Sequence, residues 1–563
     1  MNKLLSSASL LRLFFERVVS ALDKHRVFML ATLVSGLFYL FNREFFGPAY
    51  LSDEIGYLAK SIALAGYETD ISSSWHAGYS ILIYPIFRLT SDPYTAWQMI
   101  LLFNSLLWGV VVMLLSRIIY HTHPHVSSDK RFLAVVGALI YPSWLLIAGY
   151  AFTTTLFIAV FLASVLSFIN KRFLSSAFFA AFLFWIHPVG IVVCIAYIIL
   201  YAIIITDGRD RKNSIIAVAT IIFLASLYAL YVHVEIGSLL NTDPAKPRTF
   251  SAVSKIYSEI SSSARWLGIS MTQLGSIAVS TFGLIGVFYI NSISMFWSNR
   301  KSLVKKIVDR PYYQVSVLSL LSITFAVLMG SIGFAVFNRQ SLDHFLYTRY
   351  TEMVMILGLT FGILKLRKKH LMIVAIFVLS IALILLLGSS LSDIKRLNLV
   401  NVLSFWPLPL IDHKNIVHYF FIGGFWLLLL SRIIDKRTLK LATLLCFGLA
   451  VATIHLQFKW HNKVLQSYSN PEPLYTTVKS YTNLQCLSVD PEIPDDNFKK
   501  ERIRLYSYYF YDLNVRKMSR LEWQESDCRA YMTYSPHDFM DTSSTEVIAT
   551  EGVSGLSIIK KLD

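Results

Sequence analysis

The sequence predicts a multi-pass α-helical membrane protein, with about thirteen transmembrane helices and a small α/β domain at its C-terminal end. Three observations carry this. Of 563 residues, 55% are hydrophobic and only 15% are charged, against about 25% charged in soluble domains, and mean hydropathy is +0.55. Apolar runs of about 20 residues, the length that crosses a bilayer, recur between short basic loops. Beyond residue 457 these runs stop, and short alternating segments take over.

The elements follow in order. Residues 1–26 read as a cytoplasmic, basic amphipathic segment. "LLRLFFERVVSAL" has helical apolar spacing, and Arg12, Glu16, Arg17, Asp23, Lys24 and Arg26, with no clear small-residue cleavage site, argue against a cleaved signal. The membrane domain covers 27–457. Its spans are expected near 27–47, 96–119, 132–150, 152–169, 174–187, 189–206, 214–235, 269–296, 312–337, 351–366, 371–390, 416–434 and 441–457. With the N-terminus inside, the inner loops read "DKR" (129–131), "KR" (171–172), "GRDRK" (208–212), "NRKSLVKKIVDR" (299–310), "LRKKH" (366–370) and "DKR" (435–437). Each is basic, as the positive-inside bias requires. An odd number of spans puts the C-terminus outside. The long segments 48–95, 236–268, 338–350 and 391–415 and the tail 458–563 then share the outer side.

The tail reads as an extracytoplasmic α/β domain. "LQCLSV", "CRAYMTY", "EVIAT" and "GLSIIKK" have strand character, and "KKERIRLYSYYFYDLNVRKMS" reads as a helix. It holds Cys486 and Cys528, which pair if the outer compartment oxidises thiols. Cys194 and Cys446 fall in apolar runs, as inert buried thiols do. No nucleotide-binding glycine-rich loop occurs, so no cofactor is assigned.

The formal net charge is +16. Its basic residues are spread over many short loops rather than gathered in one stripe, which excludes a nucleic-acid partner and points to membrane lipids. The absence of Asn-X-Ser/Thr sequons favours a bacterial or archaeal cell membrane.

Candidate chemistry gathers on the outer side. "SDEIGYLAKSIALAG" puts Asp53 and Glu54 in the first turn of a helix whose Ile55, Leu58, Ile62 and Ala65 share one face. This reads as a helix lying on the membrane. Acidic residues there also suit the helix dipole without further purpose. "WHAGYSILIYPIF" continues the same loop and carries His76 and Tyr79. "DHFLYTRYTEMVM" opens a late span with Arg349 and Tyr350, which are equally at home as interfacial anchors. Lys246 and Arg248 stand on outer loop 236–268, against the usual charge bias, and suit an anion. Asp53, Glu54 and His76 could in principle approach a divalent metal, but no ligand set has diagnostic spacing, so a metal stays unassigned.

This arrangement resembles the GT-C glycosyltransferases, which use polyprenyl-phosphate sugars and include protein O-mannosyltransferases and the lipid A aminoarabinose transferase. "SDEIGYLAKSIA" resembles their first-loop acidic motif, and "WHAGYSILIYPIF" their His/Pro-rich loop, with Ala77 and Gly78 where several members have prolines. "YPSWLLIAGYAFTTTLFI" (141–158) looks like their third and fourth spans, but no carboxylate sits at its turn. "WIHPVGIV" carries His187-Pro188 where relatives often have Arg-Pro, and His187 reads as a structural residue.

The resemblance implies a hexosyl- or pentosyltransferase at the outer face of the plasma or inner membrane. The sugar would pass from a polyprenyl-phosphate donor to a hydroxyl on a glycan, lipid or protein acceptor, with inversion. Asp53 would be the catalytic base and Glu54 its support. His76, Tyr79, Arg349, Tyr350, Lys246 and Arg248 would bind substrate. Three other classes compete: a lipid-linked glycan polymerase or ligase, a polytopic transporter or flippase, and a structural or assembly protein, against which an outer cavity lined by Asp53 and Arg349 would argue. The polymerases rely on a large late outer loop, and a transporter calls for mid-membrane charges and internal repeats. The sequence has neither a convincing repeat nor charges concentrated away from span ends.

Overall fold

The computed structural model describes residues 25–44, 47–48, 51–68, 76–239, 265–336, 348–387, 416–433, 472–481, 484–492, 497–536, 544–551 and 555–562, with single positions at 448, 452 and 455. The amphipathic segment up to residue 24, most of the span expected at 441–457, and Lys246 and Arg248 lie outside the described residues.

Helix α1 covers 25–42. Then come α2 (Leu51–Leu64), α3 (Ala77–Leu89) and α4 (Pro93–Thr122). At the start of α4, the Asp92 carboxylate accepts from Thr95 N at 2.8 Å and Pro93 takes the first turn, where its missing N–H costs nothing. Next are α5 (Ser128–Leu139), α6 (Pro142–Ile147), α7 (Thr154–Ile169), α8 (Phe173–Ile186), α9 (Gly190–Asp207) and α10 (Arg211–Leu239). The second half of the membrane part holds α11 (Arg265–Ser280), α12 (Leu284–Ser298), α13 (Leu303–Asp309), α14 (Pro311–Val336), the single turn α15 (Arg349–Glu352), α16 (Ile356–Leu364), α17 (Lys368–Leu387) and α18 (Ile416–Ile433).

Among the described residues, five helices are long and apolar enough to cross a membrane: Pro93–Thr122, Gly190–Asp207, Arg211–Tyr231, Pro311–Ala335 and Lys368–Leu386. A bent pair, Trp266–Ser280 with Leu284–Ser298, makes a sixth if it counts as one span.

Several expected spans are broken. The run 269–296 is expected as one helix, but it bends by 113°. Phe282 (φ 51°) and Gly283 (φ 81°) are left-handed there. Gly283 N reaches back to Ala278 O at 2.7 Å and Phe282 N to Val279 O at 3.0 Å, closing α11 as a Schellman turn. The run 132–150 breaks at Tyr141-Pro142, since Pro142 cannot donate within a continuing helix and instead opens α6. The run 351–366 divides between α15 and α16, with Met353–Met355 between them.

Helix α8 packs between α7 and α10, α4 packs on α7, and α17 runs beside α18. One apolar core joins α1 to α10 with α14 and α16, and it also takes in Leu505, Tyr508, Tyr509 and Tyr511 from the tail.

The tail contains α19 (Glu472–Lys479), β1 (Leu487–Val489), α20 (Asn497–Tyr509), β2 (Val515–Lys517), α21 (Arg520–Glu525), β3 (Ala530–Thr533), β4 (Thr545–Thr550) and β5 (Ser557–Lys561). Its sheet has the order β2-β1-β3-β5-β4. β1 runs parallel to both β2 and β3, and β5 is antiparallel to β3 and β4. The four expected strand segments therefore coincide with β1, β3, β4 and β5, β4 starting one residue earlier at Thr545. The expected helix at 499–519 instead stops at Tyr509, and Asn514 (φ 51°) turns the chain into the edge strand β2. Cys486 and Cys528, just before β1 and β3, form a disulfide.

Candidate active site

Helix α2 is expected on the membrane surface with one apolar face. Ile55, Leu58, Ile62 and Ala65 do form a buried face, but Glu54, Tyr57 and Ser61 on other faces are buried as well. The helix is thus enclosed rather than surface-lying, because α3 and α20 pack against it. Asp53 stays partly open, with 26% of its side chain exposed.

The two acidic neighbours have different surroundings. Arg349 Nη1 donates to Asp53 Oδ2 at 2.6 Å, joining α2 to α15 across 296 residues. The Arg349 guanidinium carbon lies 4.1 Å from the centre of the Phe152 ring, so the ring face carries the cation. Glu54 is fully buried, and its Oε1 accepts from Ala151 N at 2.7 Å. Ala151 and Phe152 are adjacent, so both acidic residues of α2 bear on one short stretch between α6 and α7. One turn after Asp53, Tyr57 is buried beside the pair. Burial pushes its phenol well above the ordinary range; the Arg349 charge pulls the other way and the Asp53 charge adds to the rise.

The stretch 141–153 is held at several points. Tyr141 Oη donates to Glu352 Oε1 at 2.9 Å, and Thr348 Oγ1 donates to the same oxygen at 2.9 Å. Asn42 Nδ2 donates to Leu145 O at 2.9 Å, and Asn104 Nδ2 to Tyr150 O at 2.8 Å. Each bond satisfies backbone or carboxyl groups that would be costly to bury alone. Glu352 is the acid nearest to Arg349 in sequence, yet Arg349 reaches the distant Asp53 to form an ion pair.

His76 and Tyr79 pack among neighbouring rings. His76 Nδ1 lies 2.5 Å from Phe184 O; a carbonyl only accepts, so Nδ1 carries the proton. The ring packs on Phe184 and Tyr228. Burial, with a lesser push from Lys60, brings its pKa down to about 4 despite the carbonyl, so the ring is neutral at pH 7. The Tyr79 ring meets Tyr57 edge-on at 5.9 Å, and its hydroxyl donates to Asn104 Oδ1 at 3.1 Å. Tyr350 lies against the ring of His187, centroids 5.5 Å apart, and His187 Nδ1 accepts from Val189 N at 3.2 Å. Asp53, Glu54 and His76 do not converge on one point, since each turns to a different partner. Among the described residues, no group of three or more His, Cys, Asp or Glu side chains is placed to hold a metal ion.

The tail closes over the same helix. Tyr508 Oη donates to Pro93 O and Tyr511 Oη to Thr90 O, both at 2.8 Å. Tyr511 also packs edge-on against Tyr67 and Phe87. Arg516 forks onto Glu68, with Nη2 2.9 Å from Oε1. The tail therefore touches the chain just after α2 and just after α3.

Sequence reasoning brings out Asp53, Glu54 and Arg349 but misses Phe152, Tyr57, Asn104 and Glu352 as parts of one arrangement. The turn at 150–155 stands out only for its hydroxyls, and an aromatic residue in an apolar run carries no mark of a cation above it.

No protein-family model matches this chain, and no curated protein does. Among solved structures it is similar to ArnT from Cupriavidus metallidurans bound to undecaprenyl phosphate. The TM-score is 0.51 at 10% sequence identity, over 94% of this chain and 97% of that one. The apo state of ArnT gives 0.49 at 12% identity, over 96% and 98%. The apo oligosaccharyltransferase of Archaeoglobus fulgidus gives 0.41 at 8% identity, over 91% and 70%. The likeness to ArnT shows the fold alone: this chain is a multi-pass helical membrane protein that shares the ArnT architecture.

Proposed function

We propose that this protein is a glycosyltransferase that moves a hexose or pentose from a polyprenyl-phosphate donor to an acceptor hydroxyl at the outer face of the membrane, with inversion. The observation that carries the reading is the Asp53–Arg349 pair. It sets a carboxylate and a phosphate-fitting fork side by side, at the end of a helix in a GT-C fold. ArnT, which shares the fold, has been captured with undecaprenyl phosphate.

Each group has a task in this chemistry. Asp53 takes the proton of the acceptor hydroxyl as the oxygen attacks the anomeric carbon. The bond from that carbon to the phosphate oxygen breaks, and its electron pair leaves with the lipid phosphate. That leaving group needs positive charge more than a proton. Arg349 supplies it through planar, two-pronged hydrogen bonds, and Lys246 and Arg248 on loop 236–268 add to it. Attack opposite the leaving group inverts the anomeric centre. Glu54 supports the site through Ala151, and His76, Tyr79 and Tyr350 bound the sugar's space.

The N-terminus lies inside and the tail domain outside. The basic loops support this orientation, and a Cys486–Cys528 disulfide fits an oxidising outer compartment. The test is purified protein offered a panel of polyprenyl-phosphate sugars and hydroxyl acceptors. Release of lipid phosphate that depends on both substrates supports the reading. No transfer or hydrolysis with any donor in the panel opposes it.

A further inference from the structure

Among the described residues, Arg349 holds the Asp53 carboxylate, and the donor phosphate it is proposed to bind would compete for the same guanidinium. The guanidinium has little freedom to serve them separately. One face rests on Phe152, 4.1 Å from the ring centre, and the side chain is only 9% exposed. Its donors therefore act in one fixed plane, and Nη1 is already spent on Asp53 Oδ2 at 2.6 Å. While this bond stands, the Asp53 Oδ2 lone pair that faces Arg349 is not open to an acceptor hydroxyl.

We infer that the Asp53–Arg349 ion pair is a resting latch that the donor's phosphate opens, so that donor binding releases the base. This rests on the glycosyl-transfer reading. The phosphodiester of the donor brings two non-bridging oxygens, which match the Arg fork better than one carboxylate oxygen does. Once the phosphate takes Nη1, Asp53 is left free beside the sugar.

The charges then follow the chemistry. Before transfer, Asp53 and the phosphodiester each carry one negative charge. The acceptor proton moves to Asp53 and neutralises it, while cleavage of the sugar–phosphate bond leaves a monoester with two negative charges. The total is unchanged. Arg349 thereby loses its competing partner just as its phosphate partner becomes more negative. When the lipid phosphate leaves and Asp53 gives up its proton, the pair re-forms. The order of events is donor first, and an acceptor arriving alone meets a latched carboxylate.

The test is a double-mutant cycle on the full-length chain, reading the affinity for undecaprenyl phosphate in detergent. The proteins are wild type, Asp53→Asn, Arg349→Gln and the double variant. Asp53→Ser replaces the Asn variant if that one does not fold, as judged by its melting temperature. With the latch, Asp53→Asn binds about tenfold tighter than wild type, and this gain vanishes once Arg349 is gone. A gain that persists in the Arg349→Gln background means plain repulsion between Asp53 and the phosphate, and overturns the latch. Equal affinity of Asp53→Asn and wild type overturns it too, and leaves the transfer reading standing. A wild type that binds no undecaprenyl phosphate removes the transfer reading, and the latch with it.

Discussion

Replacing Glu54 tests whether the second acid of α2 reacts or only holds. Its carboxyl is fully buried, and Oε1 takes the Ala151 N–H at 2.7 Å. Alanine at 54 removes that acceptor and leaves a buried backbone donor without it, at a cost of about 2–3 kcal/mol. Glutamine keeps an oxygen at the same place, so it costs about 1 kcal/mol. The functional consequence passes through Phe152, the next residue, which carries Arg349. Glu54→Ala should therefore melt lower and show a raised KM for donor, while Glu54→Gln stays near wild type in both. Thermal melts in detergent and donor titrations of transfer rate give the two readouts. If Glu54→Gln is as inactive as Glu54→Ala while its melting temperature is unchanged, the carboxyl takes part in the chemistry and the holding role is wrong.

Three more outcomes follow from particular contacts. At Gly78 an added Cβ would lie 2.8 Å from the Trp185 carbonyl and Ile186 N, so Gly78→Ala should lift α3 from α8, costing about 1–3 kcal/mol; an unchanged melting temperature would refute that packing. His76 has a folded pKa of about 4 against an ordinary 6.5. Below pH 6.5 the unfolded chain binds this proton and the folded one does not, so stability should fall as pH drops from 6.5 to 4, by up to about 3 kcal/mol. His76→Gln should flatten that slope, and melts across the window that are identical to wild type would contradict it. Reporter fusions after Lys369 and after Asp563 should mark opposite sides of the membrane; the same side for both refutes the topology.

Charge in an apolar chain is what made the site readable. Asp53, Glu54 and Arg349 stand out because a membrane chain keeps ionisable groups for a reason. Their pairing is not readable, since 296 residues separate Asp53 from Arg349 and no local pattern links them. Nor can the sequence tell Asp53 from Glu54, because the difference lies in the Ala151 N–H that one of them meets. The expected helix ends were near those observed wherever a basic loop or a polar cap ended the run, as at Asp92 and Gly208. The bend at Phe282-Gly283 was hidden because hydropathy continues across it, and only backbone geometry marks the turn. The enclosure of α2 is hidden for a related reason: helix α20, which packs against it, belongs to a separate stretch of polar sequence. Strand β2, three residues with one buried, is too short to show alternation.

The most direct measurement is sugar transfer by purified Asp53→Asn, with donor and acceptor both saturating. Asparagine keeps the size of the side chain but has no charge with which to hold Arg349, and it cannot take the acceptor's proton. Turnover should fall by about 10²–10⁴, while the protein still folds and binds undecaprenyl phosphate more tightly than wild type. Turnover close to wild type would contradict Asp53 as the base and leave it as an acid that only suits the start of α2.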